Sequence, residues 1–432
     1  MGVTSRSMTR ALWLLTSFLF YIGLSAGATS LRAAGGLQPG DVVAICGDSI
    51  TEQSLYAAFI ETYLLACQPE RDLRAHQFGL SGETSWEFIS RLESDVMPFR
   101  PTVATTCYGM NDGGYAPIDP QRQAAYRRAT TEIVQKFKSG GVRLIVVGSP
   151  GAVDSDSFAA GGPEWVGAEE YNTRTLRGLA RIAREVAAEQ GVAYADVHWL
   201  FCEVMAKAKA KFGSHYHVAG ADGVHPAANG HLIIAYAFLK ALGCDGNIGS
   251  IKVDLSVNRA TASEGHRVLS FDGEILEIES ARYPFCFYGD PHNPDSTRGI
   301  LEVLPFNAEL NRFQLIVTAA PTARLKVTWG GRSKIFLAGQ LARGINLAAE
   351  FLDNPFGEPF QALEDAVRKQ QRYETLGVRG ILSGLGGRWW ERREASSPED
   401  ADRRVAKARV LEAAARAAVK PVKHSLKISP VQ

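Results

Sequence analysis

A chain of 432 residues, 46% hydrophobic and 22% charged, has the make-up of a soluble globular protein and is long enough for more than one typical domain. Its 47 lysines and arginines nearly match its 46 aspartates and glutamates, which excludes the broad basic footprint of a nucleic-acid or anionic-membrane binder. The six cysteines (Cys46, Cys67, Cys107, Cys202, Cys244 and Cys286) show neither the spacing of a small disulfide scaffold nor a CxxC metal pair.

The chain opens with Arg6 and Arg10, an apolar run over residues 11–24 (ALWLLTSFLFYIGL), and then Ala26-Gly27-Ala28. Positive, apolar and small-x-small segments in that order read as an export signal cleaved near Thr29. The apolar run falls short of the roughly 20 residues that span a bilayer. Residues 1–28 are therefore expected to be a signal peptide, with an uncleaved anchor as the alternative. The mature protein is expected to be secreted or periplasmic, with no membrane span after cleavage.

From residue 41 to 243, short apolar runs alternate with longer segments of helical period. Residues 41–46 (DVVAIC), 103–108 (VATTCY), 142–147 (VRLIVV) and 192–197 (VAYADV) predict buried strands, and 74–78 a weaker fifth. Residues 55–67, 85–97, 121–137 and 169–189 carry i, i+3, i+4 apolar spacing and predict the intervening helices. This alternation argues for a parallel sheet covered by helices on both faces, with ligands at the carboxyl ends of its strands. Cys46 and Cys107, inside two of these strands, are expected as buried free thiols.

Beyond residue 246 the texture changes. Residues 248–337 hold short alternating runs punctuated by Gly, Asn and Pro, which predict a mostly antiparallel β region. Residues 338–419 return to helical period, and Trp389-Trp390 reads as helix packing beside a charged, solvated face. The tail, 420–432, reads as either an extended strap or a frayed end. The domain scheme is 1–28 signal peptide, 38–245 α/β domain, 246–337 β-rich accessory region, and 338–432 helical region and tail.

Four short segments fall at the ends of predicted strands or before a helix. Gly47-Asp48-Ser49 places a hydroxyl at a strand-to-helix turn, though alone it is the make-up of an ordinary turn. Gly79-Leu80-Ser81-Gly82 could lend the Gly82 amide to an oxyanion, or be a tight turn. In Gly109-Met110-Asn111-Asp112, Asn111 offers a fixed neutral donor, or an Asx-turn. In Asp222-Gly223-Val224-His225, a carboxylate three residues before an imidazole can fix its tautomer, or else cap the following helix.

The ordered set resembles the four motif blocks of the SGNH (GDSL-type) hydrolases, over about residues 41–243. The first block reads GDSIT rather than GDSL, which leaves the serine in place. The resemblance implies a three-layer α/β/α fold with a five-stranded parallel, flavodoxin-like sheet. It implies Ser49 as nucleophile, His225 as general base and Asp222 as its orienting carboxylate. It also implies an oxyanion hole from Ser49, Gly82 and Asn111, and no metal or organic cofactor. The implied function is a secreted serine esterase, with an ester substrate such as an acetylated polysaccharide; nucleic acid is not an expected partner. An O-acetyltransferase with the same triad, a lipase or short-chain acyl esterase, and a non-catalytic carbohydrate binder are the alternatives. The segment 342–356 resembles, more loosely, C-terminal extensions of large secreted bacterial members. His215 and His217 lack a carboxylate cluster and are read as crevice-lining groups rather than metal ligands. Trp165, Tyr171 and Asn172 could border a sugar pocket, although ordinary packing explains them as well.

Overall fold

The computed structural model describes residues 35–159, 161–380 and 397–431. The segment read as a signal peptide and the Trp389-Trp390 pair lie outside the described residues. Between residues 42 and 241 run β1 (Val42–Gly47), α1 (Ser49–Glu52), α2 (Leu55–Cys67), β2 (Arg74–Gly79), α3 (Ser85–Arg91), β3 (Val103–Cys107), α4 (Pro120–Ser139), β4 (Leu144–Gly148), α5 (Ala168–Glu170), α6 (Arg177–Glu189), β5 (Ala193–Ala195), α7 (Val197–Phe212) and α8 (Ala228–Ala241). The five strands form one sheet in the order β2-β1-β3-β4-β5, and every pairing is parallel. Apolar residues buried on both faces explain the near-continuous hydrophobic runs of β1, β3 and β4, while β2 buries the polar His76 and Gln77.

Several boundaries differ from the sequence reading; the helix expected over 169–189, for one, runs as α5, a π segment over Tyr171–Leu176, and α6. The last strand is only three residues long because the Asp196 carboxylate accepts the Trp199 N–H and starts α7. The helix expected over 85–97 ends at Arg91 and continues as one π turn and one 3₁₀ turn, the latter with Pro98 in its first positions. The helix α2 is buried on every side rather than along one stripe. Its outer face meets the rest of the chain: Phe59 and Tyr63 pack on Phe285, and the Tyr63 hydroxyl donates to the Leu310 carbonyl at 2.9 Å.

The following region contains β6 (Asn247–Asp254), β7 (Arg259–Ala262), β8 (His266–Phe271), β9 (Ile275–Ser280), α9 (Phe306–Glu309), β10 (Arg312–Thr318), β11 (Arg324–Trp329), β12 (Arg332–Leu337), α10 (Ala338–Arg343), β13 (Ile345–Asn346), α11 (Leu347–Glu350), α12 (Gly357–Val378), α13 (Pro398–Ala418) and β14 (Val422–Pro430). They build two more sheets, β13-β10-β6-β7 and β12-β11-β14-β9-β8, antiparallel throughout except for β6 against β10. The tail is therefore neither strap nor frayed end, because β14 lies between β9 and β11. The division at 337/338 accordingly cuts through one sheet.

A directed chain of hydrogen bonds crosses this sheet. Trp329 Nε1 donates to His424 Nδ1 at 3.1 Å, which leaves Nε2–H of His424 to donate to Ser280 Oγ at 2.9 Å. Ser280 then donates to His266 Nδ1 at 2.8 Å, and His266 Nε2–H to the Ile248 carbonyl at 3.0 Å. Burial holds both histidines below their usual pKa, His424 at about 3, so the neutral tautomers this chain needs are the ones present.

The helix α12 lies along the outer edge of β2. Glu374 accepts the Gln77 backbone N–H at 2.9 Å and pairs with His76 at 2.7 Å, while Gln370 donates to the Ala75 carbonyl at 3.0 Å. Side chains thus stand in for the missing neighbouring strand. Replacing Glu374 by Ala orphans a buried amide and a buried imidazole. The expected loss is about 3 kcal/mol of stability, read as a lower urea midpoint at unchanged slope.

Candidate active site

The carboxyl ends of β1, β2 and β3 lie side by side, so the loops that follow them share one crevice. The first turn is tight. Asp48 caps α1 by accepting the Ile50 N–H at 3.0 Å, which places Ser49 at the first position of the helix. A close approach of α1 to the end of β2 requires Gly79: a Cβ there would lie 2.2 Å from the Glu52 nitrogen. Gly82 sits at φ +75°, a conformation that side chains other than glycine's rarely adopt.

The histidine loop reaches across from the start of α8. His225 Nε2 lies 2.8 Å from Ser49 Oγ, and His225 Nδ1 lies 2.7 Å from Asp222 Oδ2. The other Asp222 oxygen accepts the backbone N–H of Val224 at 2.9 Å and of His225 at 2.8 Å. Burial opposes ionisation of Asp222, but these two amides and the imidazole outweigh it and hold the carboxyl below its ordinary range. An ionised carboxylate only accepts, so Nδ1 carries the proton and Nε2 is left to accept from the Ser49 hydroxyl. Ser49, His225 and Asp222 therefore form one directed chain of hydrogen bonds.

Gly82 and Asn111 lie on the loops after β2 and β3, the two strands on either side of β1. Asn111 Nδ2 donates to the Glu83 carbonyl at 3.0 Å, tying the two loops together with a second amide hydrogen to spare. Neither the Ser49 nor the Gly82 amide meets an acceptor among the described residues.

Beneath these groups lies a floor of carboxylates that the sequence reading missed. Asp112 accepts the Ser85 N–H at 2.9 Å and the Gly109 N–H at 3.0 Å, fixing the third loop to the start of α3. Glu83 holds the buried Arg91 and accepts the Tyr108 hydroxyl at 2.8 Å. Glu52 receives the Ser81 backbone N–H and the guanidinium of Arg379. Their spacing gives no helical or strand period, so only the motif neighbourhood of Glu52, Glu83 and Asp112 could have drawn attention to them.

The other expected pocket residues divide. Trp165 stacks on Tyr115 at 4.2 Å and on Phe158 at 5.7 Å, and Tyr171 joins the same stack with its hydroxyl donating to the Met110 carbonyl at 2.6 Å. The stack adjoins the histidine loop, since Asp154 N–H donates to the Gly223 carbonyl at 2.9 Å and a Cβ on Gly223 would lie 2.4 Å from the Phe158 nitrogen. Asn172 clamps the Val153 backbone through both its amide atoms. His217 lies 3.7 Å from Asp154, whereas His215 faces His217 edge-on. Cys46, Cys107, Cys202, Cys244 and Cys286 are free thiols.

Residues 45–233 match the GDSL-like Lipase/Acylhydrolase family. Over this stretch, under half of its length, the chain matches the SGNH (GDSL-type) hydrolases. It is a carboxylic ester hydrolase. An acetylxylan esterase of Geobacillus stearothermophilus is 26% identical to it over 192 residues, which are 44% of this chain and 80% of that protein. A solved structure described as "BT4096 a gut microbial diltiazem-metabolizing enzyme" superposes with a TM-score of 0.72 at 21% identity, covering 93% of this chain and 100% of that one. The SGNH core and the sheets beyond it are thus found together in another fold of the same extent.

Burial, opposed by the Ile50 amide and reinforced by Asp112, raises the Asp48 carboxyl from 3.8 to about 7. A carboxyl raised on folding keeps its proton where the unfolded chain has released it. Its contribution to stability is complete below about pH 4 and is lost as pH rises to about 7. Asp48→Asn keeps the acceptor for Ile50 and removes the titration. Across that window Tm of this variant is expected to gain on the wild type as pH rises, as scanning calorimetry at fixed ionic strength would record.

Proposed function

We propose that this SGNH hydrolase is an exported serine esterase that removes acetyl groups from carbohydrate by a two-step acyl transfer to water. The observation that carries the reading is the unbroken hydrogen-bonded chain from Asp222 through His225 to Ser49. His225 takes the Ser49 proton as Oγ attacks the ester carbonyl carbon, and Asp222 stabilises the resulting imidazolium. The carbonyl oxygen gains negative charge and is received by the Ser49 and Gly82 amides and by the spare Asn111 amide hydrogen. His225 next protonates the leaving alcohol, which departs and leaves an acetyl ester on Ser49. Water attacks that ester with its proton passing to His225, and acetate is released as the proton returns to Ser49.

Three features support the substrate class. The 26%-identical relative is named an acetylxylan esterase. Residues 1–28 carry an export pattern, which suits a polymer that cannot enter a cell. The stack of Tyr115, Trp165 and Phe158 borders the histidine loop, and Asp48 and Asp222 both act on the Tyr115 phenol, whose pKa is raised first by burial. Aromatic faces beside an esterase triad offer a sugar ring its stacking surface.

The test incubates the wild type, Ser49→Ala and Asp222→Asn with p-nitrophenyl acetate and with acetylated xylan, and measures nitrophenol and acetate. Ser49→Ala is expected to lower kcat by at least about 10⁴-fold on both, and Asp222→Asn by about 10³-fold. Equal rates for wild type and Ser49→Ala would refute the serine mechanism. Serine-dependent cleavage of the small ester with no acetate from xylan or other acetylated glycans would refute the carbohydrate assignment alone.

A further inference from the structure

Glu52 ends α1, three residues after Ser49, and its side chain is only 4% exposed. A carboxylate buried that deeply requires partners. Among the described residues it has two, drawn from distant parts of the chain. One oxygen accepts the Ser81 backbone N–H in the loop after β2, and the other is held by Nε and a terminal nitrogen of Arg379, just past the end of α12. Ser81 immediately precedes Gly82, so the peptide plane between them carries the Gly82 N–H.

We propose that Arg379 is a positioning residue for the oxyanion hole, fixing Glu52 and through it the loop that presents the Gly82 amide. This rests on the role given to Gly82 under the proposed mechanism. The last turn of α12 makes the same junction a second time. Thr375 Oγ1 accepts from Gln77 Nε2 at 2.6 Å and lies 3.4 Å from Ser54 Oγ. Gln77 in turn accepts the Gly79 N–H at 2.8 Å, directly before the loop. Ser54 holds the turn between α1 and α2 at φ +60°, outside the usual range for a serine. The 22-residue helix α12 therefore grips the strand entering the oxyanion loop, the loop itself and the turn leaving the nucleophile's helix. Side chains on a long, packed helix locate a site more rigidly than a loop can alone.

Without the guanidinium, Glu52 loses the one cation that holds it among the described residues, and the buried side chain is expected to turn out toward solvent. That response loosens its hold on Ser81. A displacement of about 1 Å in a positioned group costs up to about 10²-fold in rate, so a loosened donor is expected to cost about tenfold.

The test compares wild type, Arg379→Met, Arg379→Lys and Glu52→Gln as full chains, with Ser49→Ala as control. Two quantities are measured: kcat and KM for p-nitrophenyl acetate, and the rate and final extent of Ser49 labelling by a fluorophosphonate. That reagent's tetrahedral adduct places an oxygen in the same hole. Arg379→Met is expected to lower both kcat and the labelling rate about tenfold, with KM within about twofold and the labelled fraction complete. Arg379→Lys is expected to recover most of the loss. A contact that only stabilises the fold would instead reduce the labelled fraction and leave the rate per labelled site intact, and that result overturns the proposal. Should Arg379→Met not fold, Glu52→Gln keeps an acceptor for Ser81 while removing the ion pair, and a wild-type labelling rate in it overturns the proposal equally. Activity retained by Ser49→Ala would instead bring down the serine mechanism itself, so the two failures are told apart.

Discussion

The outer edge of β2 is a row of backbone groups with no strand beyond it, and its loop supplies one side of the crevice. An edge left open would be solvated, twist freely and invite pairing with another chain. Here the Glu374 carboxylate and the Gln370 amide take the places of a strand's carbonyl and N–H. Both side chains are buried, and Gln371 beside them donates to the buried Glu61 of α2 at 2.7 Å. The same helix then carries Thr375 and Arg379 to the loop at the strand's end. Closing the edge and locating the loop are thus one structural act, performed by residues some 300 positions away in the chain.

Electrostatically, the site separates its acids by solvent. Asp222 stands in the crevice with its side chain 55% exposed, where two amides and an imidazole keep it ionised. Asp48 and Asp112 lie below it, fully enclosed, and burial raises them to about 7 and about 6. The difference follows from desolvation, which penalises the charged form only where water is excluded. One carboxylate can therefore stabilise an imidazolium. The deeper ones accept amide hydrogen bonds and set the shape of the turns around Ser49 and Asn111.

Much of this was legible in the sequence because it is local. Strands β1, β3 and β4 are apolar runs that need no partner to be recognised, and Ser49, Gly82, Asn111, Asp222 and His225 fall at strand ends or before a helix. What escaped was set by distance or by competition. The expected strand over 192–197 lost half its length to the Asp196 cap, a local preference that overrode apolar content. The expected helix over 85–97 broke up where Pro98 and a π turn intervened. The tail carried a readable alternation, with His424, Leu426 and Ile428 buried and Lys423, Ser425 and Lys427 exposed between them. That alternation marked a strand, but not its place between β9 and β11, because pairing across more than 140 residues leaves no local trace.

Arg379 shows the limit most clearly. On a helix rich in Arg, Gln and Glu, a charged residue near the C-terminus reads as solvated, and the favourable end of the helix dipole is explanation enough. Its partner Glu52 sits in a motif where the serine draws all the interest. Only the tertiary contact gives either residue a consequence: a buried carboxylate must be neutralised, and among the described residues the guanidinium that reaches it comes from just past the end of α12. Another structure superposes over 93% of this chain, so the core and the region beyond it occur together in a second fold of this kind. The region beyond residue 246 is then better understood as part of the hydrolase than as a module attached to it.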